Sequence, residues 1–239
     1  MARLSTSVHL ASSNGSDAAI AEWSNMANRL PSTSIMRDNL RRLYAVANDG
    51  ERLQGASWYA DAHGIMRDWS KSYAVSVETA ACVTAAVSPQ CEWTRNLIIA
   101  DDILAERPVS VGGALHANIA KARIILNDTK GVGAFPVSTV MKAVFPSGPK
   151  VNAFARNLAG DETAVTIDAH AYQAAVNNPV DSRSIKPNIY TQIADVYRST
   201  AEELGMSPAR FQATIWLVWK RLYPRKEKNR IAREQRQSE

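Results

Sequence analysis

Lys150 and Asp168 are the two side chains whose types, spacing and settings favour chemistry in this sequence. They lie 18 residues apart, and each stands where a helix is predicted to begin. The positive end of a helix dipole disfavours a cationic amine in the first turn, and the neutral amine is the nucleophilic form. A carboxylate beside it would stabilise positive charge at a reacting carbon. If the two helix starts converge, the pair is a nucleophile with its electrostatic partner. If they do not, Lys150 is an exposed lysine beside a turn and Asp168 is a helix cap.

Other common kinds of site are not indicated by the sequence. It contains no GxxxxGK[ST] phosphate loop, no GxGxxG dinucleotide fingerprint and no GxSxG nucleophile motif. The four histidines show no metal-binding spacing, and Cys82 and Cys91 are too few for a disulfide scaffold or a cysteine-rich metal site. Both thiols are expected to be buried packing groups.

The elements that must position the pair are helices. Apolar residues recur at helical spacing along most of the chain, and no segment has the pattern of a strand. Asn48-Asp49-Gly50 is expected to interrupt the helices. The sequence therefore predicts an all-α fold of about ten helices. They are expected from Asp17 to Leu30, at about 35–47, 56–71, 76–87, 92–105, 111–127 and 136–144, from Lys150 onward, and at about 169–177, 187–204 and 207–223.

Length and charge predict one domain between two tails. A chain of 239 residues with 46% apolar residues can bury one core. Residues 1–16 are predicted to be a flexible tail, 17–223 a single helical domain and 224–239 a basic tail. The net charge of +5 lies entirely within 220–239, which holds eight basic side chains and three glutamates. That segment suits contact with phosphates, or it is a solvated helix end.

The sequence has no apolar run that approaches the roughly 20 residues of a transmembrane helix, and a signal peptide is not expected because the first residues lack an apolar central region. No membrane association is therefore expected, and the predicted location is the cytoplasm (that of the host if the protein is encoded by a phage).

Two ordered motifs stand out: the turn and lysine at 145–150 with the aspartate and histidine of 167–170, and the segment 87–91 upstream. Together they resemble the helix–hairpin–helix (HhH-GPD) DNA glycosylases of the endonuclease III and 8-oxoguanine glycosylase type. In that superfamily a Gly-rich hairpin ending in lysine is followed by a helix and a V-D-[TV]-H segment. FPSGPK at 145–150 and IDAH at 167–170 match these parts. VSPQC at 87–91, followed by Asn96, is similar to the upstream segment whose glutamine enters the duplex. The hairpin here is one residue shorter than the family pattern and has Ser147 where a glycine is usual.

The resemblance implies a two-lobed helical fold, with a hairpin and catalytic edge at 136–177, acting as a monomer on duplex DNA with one nucleotide extruded. Lys150 would attack the sugar C1′, and Asp168 would assist it. No iron–sulfur cluster is expected because the four-cysteine motif is absent, and a monovalent cation at the hairpin is left open. Other contacts to DNA are expected from Ser88, Gln90, Ser147, Gly148, Val151, Arg156 and His170.

The leading hypothesis is a DNA N-glycosylase with AP-lyase activity that removes a damaged or modified base. The first alternative is a transferase with the same fold, because the arrangement is also similar to phage proteins that hypermodify thymine. Such an enzyme would add an amine or amino acid to an activated 5-hydroxymethyluracil. The second alternative is a non-catalytic DNA-binding protein. Most of the six tryptophans have helical core spacing, so the core rather than the site is expected for each.

Overall fold

Eleven helices form in the residues that the computed structural model describes, which are 30–181 and 184–238, and these residues contain no strand. The all-α prediction of about ten helices is confirmed. The predicted flexible segment 1–16 and the helix from Asp17 lie outside the described residues. In chain order the helices are α1 (Thr33–Ala45), α2 (Asp49–Ser72), α3 (Val77–Ala86), α4 (Trp93–Leu104), α5 (His116–Thr129), α6 (Val137–Val144), α7 (Pro149–Leu158), α8 (Ala169–Val176), α9 (Pro187–Glu203), α10 (Pro208–Leu222) and α11 (Arg225–Ser238).

Among the described residues, those from 33 onward form one compact unit. None of the helices in the described ranges is both long enough and apolar enough to cross a membrane.

The helices of this unit pack in two groups that meet at α10. The first group surrounds α3, which contacts α2, α4, α5, α6 and α7. An Ala/Val-rich sequence makes α3 apolar on nearly every side, and eight of its ten residues are buried. In the second group α1 contacts α8 and α9. Because α10 contacts α2 as well as α1, α8 and α9, the boundary between the groups runs along α10.

The predicted interruption is present, since α1 ends at Ala45 and the chain is non-helical up to Asn48, but α2 begins at Asp49 rather than at about 56. Asn48 Oδ1 accepts the Glu51 N–H at 2.8 Å, and the Glu51 carboxylate accepts the Asn48 N–H at 3.0 Å. This reciprocal capping box satisfies two backbone donors, so α2 starts directly after Asn48. Glu51 also forms a 2.6 Å ion pair with Arg221, which ties the start of α2 to the end of α10.

Gly55 lets α2 and α10 approach closely. A Cβ at this position would lie 2.7 Å from the Cα of Thr214 on α10, closer than real Cβ atoms come to a backbone atom. Glycine is therefore required inside this helix despite its low helix propensity. The close approach places the inward faces of α2 and α10 side by side.

Two other segments differ from the expected elements. Helix α5 begins at His116 rather than at 111, because Gly113 has a φ of +137° and cannot continue a helix. The basic segment at the C-terminus is helical over Arg225–Ser238. Lys228 of this helix contacts His170 Nδ1 at 3.0 Å and donates to Gln173 Oε1 at 2.5 Å. Helix α11 is thus attached to α8 near its beginning.

Candidate active site

A cavity of about 260 Å³ lies at the boundary between the two helix groups, and both Lys150 and Asp168 line it. The two predicted helix starts therefore converge on one space. Five parts of the chain build the walls: α2, the turn before α4 with α4 itself, α7, the segment that leads into α8, and α10. The remaining lining residues are Trp58, Tyr59, Ser88, Cys91, Glu92, Trp93, Asn96, Phe154, Thr166, Gln212, Ala213, Trp216 and Lys220.

Lys150 is the second residue of α7, and the turn before it sets its position. The Gly148 N–H donates to the Phe145 carbonyl at 3.0 Å, and Pro149 is the first helical residue. A Cβ at Gly148 would lie 3.1 Å from the Phe145 Cβ, so the tight turn favours glycine through close packing. The Lys150 side chain is half-buried. Within 30–181 and 184–238 it makes no hydrogen bond or ion pair, which leaves its amine available to a ligand.

Only some residues of the 147–151 segment have a backbone N–H that is free to bind a ligand. The Gly148 N–H is already used within the turn, and Pro149 has none. No side chain caps the start of α7, so the N–H groups of Ser147, Lys150 and Val151 are those that a phosphate would use. The Val151 side chain itself is buried in the core. The turn closes through a hydrogen bond of its own, and a monovalent cation here stays a prediction.

Asp168 is the N-cap of α8, as its position predicted, and it also faces the cavity. Its Oδ1 accepts the Ala171 N–H at 2.8 Å. Its Oδ2 accepts the indole Nε1–H of Trp216, on α10, at 3.1 Å. With one donor on each oxygen, the carboxylate is held in a single orientation.

The connection between α7 and α8 sets the spacing of the pair. Asn157, buried near the end of α7, donates from Nδ2 to the carbonyls of Asp161 and Ala164, both at 2.9 Å. Its Oδ1 accepts the Thr166 hydroxyl at 2.8 Å. The Tyr190 hydroxyl donates to the Val165 carbonyl at 2.8 Å. These bonds satisfy the backbone of a buried extended segment, which delivers Asp168 to the cavity.

Lys150 and Asp168 do not form an ion pair of 4.0 Å or less in the described part of the chain. The amine and the carboxylate instead face a shared space. A nucleophile and a charge-stabilising group both need access to the same substrate atom. The arrangement therefore suits attack on a carbon atom that becomes positively charged.

Three aromatic rings form one continuous side of the cavity, which we call the aromatic wall: Trp58, Trp93 and Phe154. The ring centroids of Trp58 and Trp93 are 5.3 Å apart, and each lies 6.2 Å from that of Phe154. Such a surface favours stacking by a flat ring.

Trp58 and Trp93 pack against the core as expected but also line the cavity, and Trp216, likewise half-buried, lines it too. Helical spacing could not separate them from core residues because Trp58 and Trp93 also pack against the core. Trp219 is fully buried, as predicted.

The turn before α4 carries Ser88 and Gln90. Ser88 lines the cavity, and its hydroxyl donates to the Ala85 carbonyl at 2.8 Å. Gln90 is exposed and has a φ of +62°, a conformation that non-glycine residues rarely adopt. It does not line the cavity, but Ser88 and Cys91 on either side do. Gln90 is therefore presented outward at the edge of the cavity.

Arg156 and His170 do not line the cavity. The Arg156 guanidinium donates to Asp161 Oδ2 at 2.5 and 2.8 Å, which braces the connection after α7. His170 lies beside Asp168, with its ring centroid 6.3 Å from that of Trp216. Burial lowers the pKa of His170, and the nearby Asp168 carboxylate partly opposes that shift.

Helix α10 contributes functional candidates that the sequence analysis did not identify. Gln212, Trp216 and Lys220 are spaced four residues apart, so they lie on one face, and all three line the cavity. The Lys220 Nζ lies 4.0 Å from the Trp216 ring centroid. In the sequence, these candidates were indicated by two polar residues, Gln212 and Lys220, on an otherwise apolar face of the helix.

Cys91 is half-buried and lines the cavity, whereas Cys82 is buried as expected. Burial raises the pKa of the Cys91 thiol. Across the described ranges, His, Cys, Asp and Glu side chains form no group of three that could hold a metal ion.

Comparison with known proteins places this chain in a family whose function is not known. Residues 24–222 match the family described as "Family of unknown function (DUF7178)", so the chain belongs to that family. No curated protein and no solved structure matches it.

Proposed function

We propose that this member of DUF7178 is a DNA N-glycosylase with AP-lyase activity, a cytoplasmic enzyme that acts on a nucleotide extruded from duplex DNA. One observation carries the proposal. The unpaired amine of Lys150 and the oriented carboxylate of Asp168 line a single cavity whose aromatic wall suits a nucleobase. The resemblance of the two motifs to the helix–hairpin–helix glycosylases points to the same reaction.

In the proposed reaction, the neutral Nζ of Lys150 attacks the sugar C1′ of the extruded nucleotide. The C1′–N glycosidic bond breaks, its electron pair leaves with the base, and the base takes up a proton. Opening of the sugar ring protonates O4′ and gives a Schiff base between C1′ and Nζ. Loss of a C2′ proton then eliminates the 3′ phosphate, which is the lyase step.

Asp168 would stabilise the positive charge that develops on the sugar as the base departs. It would also accept a proton from the attacking amine. A carboxylate fixed before the reaction needs no reorganisation at that moment, and this preorganisation is a large source of catalytic rate. The bonds from Ala171 and Trp216 provide the fixation.

Binding of the duplex is assigned to groups around the cavity. The N–H groups of Ser147, Lys150 and Val151 would hold a phosphate at the start of α7. Gln90, which is exposed on its turn, would occupy the space left by the extruded nucleotide. Extruding the nucleotide costs roughly a few kcal/mol because its base must unstack. Helix α11 would add phosphate contacts through its basic side chains.

The experiment is borohydride trapping of the Schiff base. The full chain is incubated with duplexes that contain one uracil, one 8-oxoguanine or one 5-hydroxymethyluracil, and sodium borohydride is added. A covalent protein–DNA adduct is expected on at least one duplex. Lys150→Ala should abolish it, whereas Lys71→Ala, at an exposed lysine outside the cavity, should not. Absence of an adduct on all three duplexes would count against the proposal.

A transferase that modifies an extruded thymine derivative is the second candidate, and one observation favours it. The Glu92 carboxylate lines the same cavity as Asp168, so it could bind the ammonium group of an amine donor. Mass spectrometry of the nucleosides after reaction separates the two functions, because a glycosylase removes a base and a transferase adds mass to one. If neither occurs but the chain binds DNA, the non-catalytic alternative is favoured.

A further inference from the structure

Asn96 has an unsatisfied acceptor at the wall of the cavity. The residue is only 1% exposed, and it lines the cavity from α4. Its Nδ2 donates to the Thr84 carbonyl of α3 at 3.0 Å, which fixes which end of the amide is oxygen. The Oδ1 atom is buried and has no hydrogen-bond partner among the described residues. A buried acceptor of this kind favours a ligand that brings a donor.

Gln212, on α10, is a second buried amide, and it can donate a hydrogen bond where Asn96 can accept one. It is 4% exposed and lines the same cavity. Its Oε1 accepts the Tyr59 hydroxyl at 2.9 Å. Burial raises the pKa of Tyr59 far above its ordinary value, so the hydroxyl stays protonated and acts as the donor. The Gln212 amide is therefore fixed with its Nε2–H groups as the end left to donate.

We propose that Asn96 and Gln212 determine which base the cavity accepts: an uncharged flat heterocycle that gives an N–H to Asn96 Oδ1 and offers an acceptor to Gln212 Nε2. The ring would stack on the aromatic wall. This inference rests on the proposed function, since it names the substrate class of the same cavity. Asn96 and Gln212 would act as specificity-determining residues and take no part in bond breaking.

The size of the cavity and the uncharged state of the two amides agree with this class. Its volume of about 260 Å³ is slightly below the range of about 300–1,000 Å³ that drug-sized ligands occupy, so one base with its sugar is a better fit than a dinucleotide. The two amides carry no charge, and a neutral ring satisfies them without the cost of burying an ion. An analogue in which the N–H is methylated would leave Asn96 Oδ1 unpaired. Rejection of such analogues is typically strong.

The experiment measures nucleoside binding without chemistry. The full chain is titrated with 2′-deoxyuridine and with 3-methyl-2′-deoxyuridine, which lacks the ring N–H, and binding is followed by quenching of tryptophan fluorescence. Iodoacetamide labelling of Cys91 at each concentration reports occupancy of the cavity, and the buried Cys82 serves as an internal reference.

The expected result is that 2′-deoxyuridine binds and protects Cys91, whereas the methylated nucleoside binds at least tenfold more weakly. Gln212→Glu, which keeps an acceptor for Tyr59 but loses the amide donor, should also weaken 2′-deoxyuridine by about tenfold. A further titration with 2′-deoxycytidine shows whether an exocyclic amine can replace the ring N–H as the donor to Asn96. Tight binding of either 2′-deoxyuridine or 2′-deoxycytidine supports the proposal. Equal binding of the methylated and unmethylated nucleosides to the wild-type chain overturns it, and so does failure of every nucleoside to protect Cys91. The comparison of methylated and unmethylated nucleosides uses the wild-type protein, so it does not depend on whether a variant folds.

Failure of this inference is distinguishable from failure of the proposed function. Lys71→Ala, at an exposed lysine that does not line the cavity, should bind 2′-deoxyuridine like the wild type. If nucleosides are discriminated but no Schiff base is trapped, the glycosylase proposal fails and the recognition stands. If DNA containing uracil and DNA containing 3-methyluracil are trapped equally well, the recognition fails and the glycosylase proposal stands.

Discussion

Trp216 Nε1 donates a 3.1 Å hydrogen bond to Oδ2 of Asp168, across 48 residues of sequence. The bond connects α10 to the first residue before α8, and it joins a wall of the cavity to the proposed charge-stabilising carboxylate. The other oxygen of Asp168 caps α8 through the Ala171 N–H. One carboxylate thus has both a structural and a proposed chemical role, and variants can separate them.

Trp216→Phe tests whether the indole donor orients Asp168 for the reaction. The variant keeps an aromatic ring but loses the N–H, so Asp168 Oδ2 gains freedom to rotate. We expect the rate of borohydride trapping to fall about tenfold, equivalent to about 1.4 kcal/mol, with the dissociation constant for DNA little changed. Trp69→Phe, a half-buried tryptophan that does not line the cavity, is the matched control. An unchanged rate in Trp216→Phe would show that the bond has no part in the chemistry.

Asp168→Asn and Asp168→Ala should have the same effect on chemistry but different effects on stability. Asparagine caps a helix about as well as aspartate, whereas alanine at an N-cap costs about 1 kcal/mol. Asparagine keeps the cap but cannot also accept the Trp216 N–H, and alanine loses both bonds, so Asp168→Ala should unfold at a lower urea concentration than Asp168→Asn. Both variants lack the negative charge, so both should lose trapping by at least a hundredfold. Trapping by Asp168→Asn at the wild-type rate would remove the carboxylate from the proposed mechanism.

His170 should make the stability of the protein depend on pH. Burial lowers the pKa of His170 in the folded state, the Asp168 carboxylate partly raises it, and the Lys228 and Lys220 amines lower it. The folded state therefore binds a proton less readily than the unfolded state. The stabilisation is complete above pH about 6.5 and is lost as the pH falls through the lowered pKa. Urea unfolding should show a shallower loss of stability between pH 8 and pH 5 in His170→Gln than in the wild type.

His116→Gln is the control for that measurement, because His116 is exposed at the start of α5. It should follow the wild-type curve. If His170→Gln follows the same curve as well, the buried position of His170 does not affect its protonation.

Helix α11 should contribute to DNA binding through non-specific contacts to phosphate. Arg225, Lys226 and Arg233 are exposed, whereas Arg230 is paired with Glu227 and Glu234. Each single change of an exposed basic residue to Gln should weaken binding similarly for different DNA sequences. It should also reduce the slope of log K against log salt by about 0.9. Lys71→Gln, the same loss of charge on α2, should leave the slope unchanged, and equal slopes for all these variants would exclude α11 from the interface.

The sequence was sufficient to predict most of the helices and the convergence of Lys150 and Asp168 on one cavity. Helical periodicity gave most of the elements, and Pro149 and Asp168 marked helix starts because proline and aspartate satisfy the unpaired donors there. The start of α2 was predicted too late, because Asn, Asp and Gly occur in turns as well as at the beginning of helices. The reciprocal bond between Asn48 and Glu51 decides that the helix begins at Asp49.

The walls of the cavity could not be predicted from the sequence. Trp58 and Trp93 pack against the core and also line the cavity, so their helical spacing is that of core residues. Asn96 Oδ1 is left unsatisfied because the amide is oriented by the hydrogen bond from Nδ2 to the carbonyl of Thr84, twelve residues earlier. The contact between Lys228 and His170 joins residues 58 positions apart. Each of these features arises from tertiary packing.

Locating the covalent adduct within the chain tests the central proposal most directly. After trapping on the reactive duplex, the DNA is digested with nucleases and the protein with trypsin, and the peptides are analysed by mass spectrometry. Modification of Lys150 blocks cleavage after it, so the predicted result is a peptide of residues 143–156 that carries a reduced deoxyribose remnant, in place of peptides 143–150 and 151–156. An adduct on any other lysine, or cleavage after Lys150 in the trapped protein, would contradict the assignment of Lys150 as the nucleophile.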